Sequence, residues 1–214
     1  YFYKFLVKLV QLLDPERAHF IALFYLKFYN FNKNCIQNDL KKLNTSFCNI
    51  NIKNPIGLAA GFDKNGEAIN GLLNLSMGFI EIGAVTPKPQ YGNKKPRIFR
   101  LRKDYAIINR LGFNNSGMKV IKKNIKTNFK NGIIGINVGA NKNSEDKISD
   151  FIDVISYFSS DVDYFTINIS SPNTLGLREL QNKRNLNELL YRICLEKKQT
   201  NIKKPILIKI APDL

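Results

Sequence analysis

Five short apolar runs, each finishing in polar or reactive side chains, constrain this chain more than any other feature. Residues 55–61 run into Phe62, Asp63 and Lys64. Residues 78–85 run into Thr86, Pro87 and Lys88, and residues 133–136 run into Asn137, Asn141 and Lys142. Residues 164–169 carry Asn168 and run into Ser170, Ser171, Pro172, Asn173 and Thr174. Residues 205–208 run into Lys209, then Ala211, Pro212 and Asp213. Apolar runs of this length, bounded by turn residues, read as buried strands. Helical patterns lie between them. Residues 67–75 form one, and residues 186–197 another. In residues 116–129, Met118, Ile121, Ile125 and Phe129 share a face. In residues 144–158, Ile148, Phe151, Ile152 and Ile155 do the same, with Ser144 as the expected N-cap. Alternating strands and helices predict a parallel sheet with right-handed crossovers. Ligands of such sheets bind outside the carboxyl ends of the strands, where the polar residues stand here.

A parallel sheet of this kind is either open and doubly wound or closed into a barrel. The first turn, GLAAGFDKNG, is not the GxGxxG of a dinucleotide fold, and no acidic residue closes the second run. Polar residues end every strand, whereas one switch point would gather them in a single crevice. The expected fold class is therefore α/β, a (β/α)8 TIM barrel incomplete in this chain. A barrel would need about three more strand–helix units after the fifth run. Residues 97–101 and 105–109 read as a hairpin insertion, and a shorter hairpin is expected around residues 47–52.

The first 31 residues differ from the rest. Residues 1–13 form a short apolar helix with Lys4 and Lys8 four apart. Asp14 is the expected N-cap and Pro15 the first position of a second helix, running to Tyr29 and rich in aromatics. Neither reaches the roughly 20 apolar residues that span a bilayer. Two readings stand: a monotopic membrane anchor with rings and Lys at the headgroups, or two helices packed on the domain or another subunit. The domain expectation is a helix pair over 1–31 and a barrel segment over 32–214.

The net charge is +16. Either an AT-rich genome has enriched Lys on solvated surfaces, or the chain is drawn to anionic partners such as a membrane or acidic ligands. The lysines are scattered and no nucleic-acid-binding motif is present, so nucleic acid is not an expected partner. Cys35, Cys48 and Cys194 are odd in number and lack CxxC spacing, which points to free thiols and no metal site. The chain begins at Tyr1 without Met, so any targeting peptide has been removed or lies outside the sequence.

Residues 54–67 (NPIGLAAGFDKNGE), 82–90 (IGAVTPKPQ), 96–101 (PRIFRL), 109–114 (NRLGFN), 167–178 (INISSPNTLGLR) and 208–214 (IKIAPDL) resemble the dihydroorotate dehydrogenase family. The resemblance is strongest to its class 2, quinone-dependent, mitochondrial branch, and the motifs follow the family's order over most of residues 14–214. It implies a β/α barrel holding FMN, which oxidises dihydroorotate to orotate in pyrimidine biosynthesis and passes electrons to ubiquinone. It also implies a peripheral, monotopic place on the mitochondrial inner membrane.

By that resemblance Ser171 is the catalytic base, at a position where the soluble class 1 enzymes carry Cys. A neutral serine is a poor base, so it needs a relay: the Thr174 hydroxyl and bound water serve, with Phe113 shielding the site. Lys64, Asn109, Asn168 and Asn173 are implied as substrate ligands; amides offer donors and acceptors to the edges of a pyrimidine ring. Ala59, Ala60, Gly61, Gly83, Ala84, Thr86, Asn137 and Lys209 are implied at FMN, Lys209 as the cation beside the reduced ring. His19, Arg100 and Phe24 are implied at the quinone tunnel, whose wall would include Phe20, Leu23 and Phe28. The rival readings are another FMN barrel acting on pyrimidines, such as a tRNA dihydrouridine synthase, or a non-catalytic membrane-associated binding protein.

Overall fold

The computed structural model describes residue 7 and residues 9–29, 40–129, 131–174 and 176–213. Expectations for residues 1–6, Lys8, the start of the polar connector and Cys35 fall outside the described residues.

Residues 9–12 are helical, and α1 (Pro15–Phe28) follows. Asp14 caps α1, its carboxylate accepting from the backbone N–H groups of Glu16 and Arg17 at 3.0 and 3.1 Å, and Pro15 opens the first turn. β1 (Thr45–Phe47) and β2 (Ile50–Ile52) form the short hairpin. The repeating unit then begins: β3 (Gly57–Leu58), α2 (Ile69–Asn74) and β4 (Phe79–Val85). The hairpin insertion is β5 (Ile98–Leu101) with β6 (Ala106–Asn109). After it come α3 (Gly117–Asn128), β7 (Ile134–Val138), α4 (Lys147–Phe158), β8 (Tyr164–Asn168), α5 (Lys183–Gln199) and β9 (Ile206–Lys209).

The five strands β3, β4, β7, β8 and β9 lie side by side in that order, all parallel. Their pleat separates two chemistries, because successive side chains point to opposite faces. One face carries Ile80, Ile82, Ile134, Ile136, Phe165 and Ile167, which join Ile121 and Ile125 of α3, Phe151 and Ile155 of α4, and Leu189 and Ile193 of α5 in one core. Fully burying such a side chain stabilises by about 1.5–3 kcal/mol. The other face carries Glu81, Asn137, Thr166 and Asn168, interleaved with the first set. The helices cover the apolar face, so the polar face is left for the site.

Two boundaries differ from expectation. Ser144 is not the cap of α4; Asp146 is, accepting from the N–H groups of Ile148 and Ser149 at 3.0 and 3.1 Å. A carboxylate two residues nearer the helix wins the exposed donors, and Ser144 hydrogen-bonds Asp150 instead. α5 begins at Lys183 rather than residue 186, because Asn182 accepts from the Asn185 N–H at 2.9 Å. Among the described residues no helix is long and apolar enough to cross a membrane.

Candidate active site

A cleft of about 170 Å³ opens at the carboxyl ends of the sheet. Ala60, Gly61 and Lys64 enter it after β3, Gly83 and Ala84 from the end of β4, and Asn137 and Asn168 from β7 and β8. Asn109 and Phe113 come from the end of β6 and the loop beyond it, and Ser171 and Asn173 from the loop after β8. Ala59, Thr86, Thr174 and Lys209 are not among its lining residues.

The floor is backbone. The Gly61 N–H donates to the Gly83 carbonyl at 2.9 Å, which locks the two turns together. Gly83 has φ +119°, and a Cβ there would stand 2.6 Å from the Asn137 carbonyl oxygen, so this approach admits no side chain. At Gly61, with φ +111°, a Cβ would meet nothing within 4 Å, so open space adjoins bare main chain at this turn.

Amides form the polar wall. Asn137 Nδ2 donates to Glu81 at 2.6 Å, and Asn168 Nδ2 donates to Asn137 Oδ1 at 3.0 Å. Asn173 Nδ2 donates to the Asn109 carbonyl at 3.4 Å, tying the loop after β8 to the hairpin insertion. Ser171 Oγ accepts from the Asn173 N–H at 3.2 Å. Arg178 holds the loop from below, donating to the Ser170 carbonyl at 3.0 Å and to Asp213 at 3.2 Å.

Thr174 is buried and its hydroxyl has no hydrogen-bond partner among the described residues; the same is true of Asn114 Oδ1. A buried polar atom without a partner marks a place where water or ligand completes the bonding. Thr86 stands differently. It is fully buried, donates to the Lys88 carbonyl at 2.7 Å and accepts from Asn115 at 2.8 Å, so its hydroxyl is committed to the protein. Lys209 is exposed and pairs in register with Asn168, one strand away.

Lys64 is held below its ordinary pKa, first by burial, with Arg97 adding to the effect and Glu16 and Asp63 opposing it. Its ammonium donates to the Gly61 carbonyl at 2.7 Å. Asp63 shapes the turn, accepting from the N–H groups of Glu67 and Ala68 at 2.9 and 2.8 Å. Burial pushes its carboxyl up and outweighs those two bonds.

A second cavity, of about 630 Å³, lies beside the cleft and shares Lys64 and Asn114 with it. His19, Phe20 and Leu23 of α1, Phe62 and Val120 supply its apolar lining. Burial first, and then the Lys64 charge, holds His19 below its ordinary pKa. Arg97, not Arg100, lines this cavity and is paired with Glu16 at 2.8 Å. Arg100 instead donates to the carbonyls of Gln11 and Leu13 at 3.0 and 2.6 Å, closing the carboxyl end of the preceding helical turn. Phe24 is 58% exposed, packs on Phe28 and does not line the cavity.

Sequence reasoning missed Glu81, Asp63, Asn114 and Asn115. Glu81 carried a signal, since an acidic residue centred in an apolar strand must find donors. Asn115 pins Thr86, the Phe113 carbonyl and the Gly117 N–H, which no spacing rule reveals.

Fold and site together define a β/α protein with a main-chain-floored, amide-walled cleft at the strand ends. The family model described as dihydroorotate dehydrogenase matches residues 42–214, and the chain belongs to that family. The dihydroorotate dehydrogenase (quinone) of Bartonella henselae is 50% identical over 208 residues, 95% of this chain and 57% of the relative. Its counterpart in Rhodopseudomonas palustris is 47% identical over 210 residues, 96% of this chain and 57% of the relative. The chain thus spans little more than half the length of these relatives. Among solved structures, the dihydroorotate dehydrogenase of Eimeria tenella in complex with ferulenol superposes with a TM-score of 0.84 at 34% identity, over 94% of this chain and 60% of that one.

Proposed function

We propose that the protein oxidises dihydroorotate to orotate and passes the electrons to a quinone, in the pyrimidine biosynthetic route. The observation that carries this reading is the convergence of Lys64, Asn109, Asn168, Ser171 and Asn173 on one cleft above the Gly61–Gly83 floor. We infer further that the five strands belong to an eight-stranded barrel, and that residues 1–31 form an N-terminal helix pair.

The cleft fits FMN. Ala60, Gly61, Gly83 and Ala84 would hold its flat ring against main chain, and Asn137 would offer it a polar contact. FMN, when bound, supplies a two-electron acceptor that serves the substrate and then the quinone. The remaining chemistry belongs to side chains. The Lys64 ammonium attracts the substrate carboxylate, and burial strengthens that attraction. Asn109, Asn168 and Asn173 hydrogen-bond the pyrimidine edges. Ser171 takes the proton from the substrate carbon as the hydride leaves the neighbouring carbon. The Ser171 hydroxyl proton passes towards Thr174, whose partnerless hydroxyl completes the relay with water. Phe113 excludes bulk solvent. Lys209, on the strand beside Asn168, would supply positive charge to the flavin.

The cavity at His19 takes the quinone. Its apolar wall suits a hydrophobic ring, and His19 offers one hydrogen bond. Membrane association finds support in α1, where Phe20, Ile21, Phe24, Tyr25 and Phe28 are all exposed. A quinone-bearing membrane is the compartment proposed; the bacterial relatives lend no support to the mitochondrial inner membrane in particular. Ubiquinone remains the proposed acceptor.

Anaerobic visible absorbance of the complete protein tests the reading. Dihydroorotate should bleach the flavin bands and a ubiquinone analogue should restore them. A flavin that stays oxidised with dihydroorotate rejects the substrate, and a reduced flavin that ignores quinone rejects the second half-reaction.

A further inference from the structure

We propose that Glu81 is a positioning residue that anchors one end of the Asn137–Asn168 side-chain amide row in the cleft. The inference rests on the proposed function only for the identity of the ligand these amides meet.

Glu81 lies in the middle of β4, between the buried Ile80 and Ile82 but on the opposite, polar face. Its two oxygens are separately engaged. Oε1 accepts from Asn137 Nδ2 at 2.6 Å, and Oε2 accepts from the Thr166 hydroxyl at 2.8 Å. Tyr164 stands beside it on the same face. Burial first, and then the Glu81 charge, push the Tyr164 phenol far above its usual range, so it keeps its proton. Glu81 is thus surrounded by donors.

An amide is ambiguous, because turning it over exchanges donor and acceptor. A carboxylate removes the ambiguity because it only accepts. Asn137 must turn its NH2 towards Glu81. Its Oδ1 then faces Asn168 and accepts from Nδ2 at 3.0 Å. Asn168 Oδ1 is turned the other way, where it accepts from the Ser170 N–H at 3.2 Å and from the Ser170 hydroxyl at 2.9 Å. The row is therefore held at both ends: the Glu81 carboxylate, which only accepts, fixes Asn137, and the Ser170 N–H, which only donates, turns Asn168 the same way. Reversing the row would set Asn137 Oδ1 against a carboxylate oxygen.

The consequence is specificity. Each NH2 carries two hydrogens and the row uses one of each. The second N–H of Asn137 and of Asn168 remains for whatever enters the cleft. The wall accordingly offers donors and selects a ring edge made of carbonyl or anionic oxygens. A ligand must therefore turn an oxygen, not an N–H, towards these two amides.

The experiment compares Glu81→Gln with Thr166→Val in the complete protein. Gln is isosteric with Glu but uncharged, and it both donates and accepts, so the acceptor-only anchor at this end of the row is lost. Thr166→Val removes the other contact to Glu81 and leaves the amide row intact. Selective asparagine labelling gives the side-chain NH2 resonances of Asn137 and Asn168 without flavin or substrate. The Asn168 resonances should move in Glu81→Gln, although the two residues do not touch, and stay in place in Thr166→Val. FMN affinity, read by quenching of flavin fluorescence, should fall about tenfold in Glu81→Gln and less than about threefold in Thr166→Val, a gap of more than about 0.7 kcal/mol. Unmoved Asn168 resonances in Glu81→Gln, or equal losses in both variants, overturn the proposal. Glu81→Asp keeps an acceptor-only group; a displaced Asn168 pattern there overturns the proposal by itself. A wild-type protein that ignores dihydroorotate would defeat the functional reading and leave the resonance comparison unaffected.

Discussion

His19 meets Phe62 edge to face, with ring centroids 4.8 Å apart and planes inclined by 78°. This contact joins α1 to the turn that follows β3, the turn that also carries Asp63 and Lys64. The N-terminal helix is thereby coupled to the strand end nearest the cleft. An edge contact of this kind contributes about 0.5–1.5 kcal/mol beyond area burial.

The burial of His19 makes stability depend on pH. Burial holds the His19 pKa in the folded chain below its ordinary 6.5. As pH falls through about 6.5, the unfolded chain binds the proton first, so stability present above that pH is lost towards the lower folded value. Urea midpoints at pH 7.5 and 5.5 should fall further for the wild type than for His19→Phe. Equal falls would assign the pH dependence to other groups.

The same residue divides the two half-reactions. His19→Ala should slow quinone-driven reoxidation of the flavin by about tenfold, the scale of one lost hydrogen bond. Reduction by dihydroorotate should stay near the wild-type rate. Stopped-flow absorbance separates the two steps, and equal damage to both would remove His19 from the quinone site.

Ser171→Ala should bind FMN normally and reduce it about 10²- to 10⁴-fold more slowly, the usual range for a lost general base. Rapid-reaction traces at saturating dihydroorotate are the check. A wild-type rate would exclude Ser171 as the base.

Asp63→Ala leaves the N–H groups of Glu67 and Ala68 without their acceptor. A buried donor without a partner costs about 1–3 kcal/mol. Chemical denaturation should show a loss in that range, with weakened FMN binding because the turn carries Lys64.

Gly135→Ala tests the polar face lower in the sheet. An added Cβ would lie 2.2 Å from the Tyr164 ring. The ring is fully buried and also meets Phe47 and Phe79, so it has little room to retreat. Overpacking of this kind costs about 1–3 kcal/mol, which a shifted urea midpoint would register.

Most of the fold was legible because its signals are local. Runs such as residues 78–85 and 164–169 are apolar, bounded and of strand length, and the pattern of Ile121 and Ile125 reads as a helix face without knowledge of its partner. The cleft was legible for the same reason: Lys64, Asn137, Asn168 and Ser171 follow strand ends, and parallel sheets put strand ends together. The contacts of the arginines were not legible, for the opposite reason. Arg97 stands just before β5 and Arg100 within it, three residues on, and nothing local says that Glu16 would claim Arg97 while the carbonyls of Gln11 and Leu13 would claim Arg100.

By itself, then, the sequence determined an alternating β/α chain, the end of the sheet that carries the site, and the residues delivered there. Periodicities of 2 and 3.6 and short turn motifs encode these over a few residues at a time. Tertiary structure alone decided which groups touch. Asn137 finds Glu81 across 56 residues and Asn168 across 31, and His19 finds Phe62 from another element altogether. Those meetings depend on strand register and on how the crossovers seat their helices. Donor direction, burial and shifted pKa values arise only from such meetings.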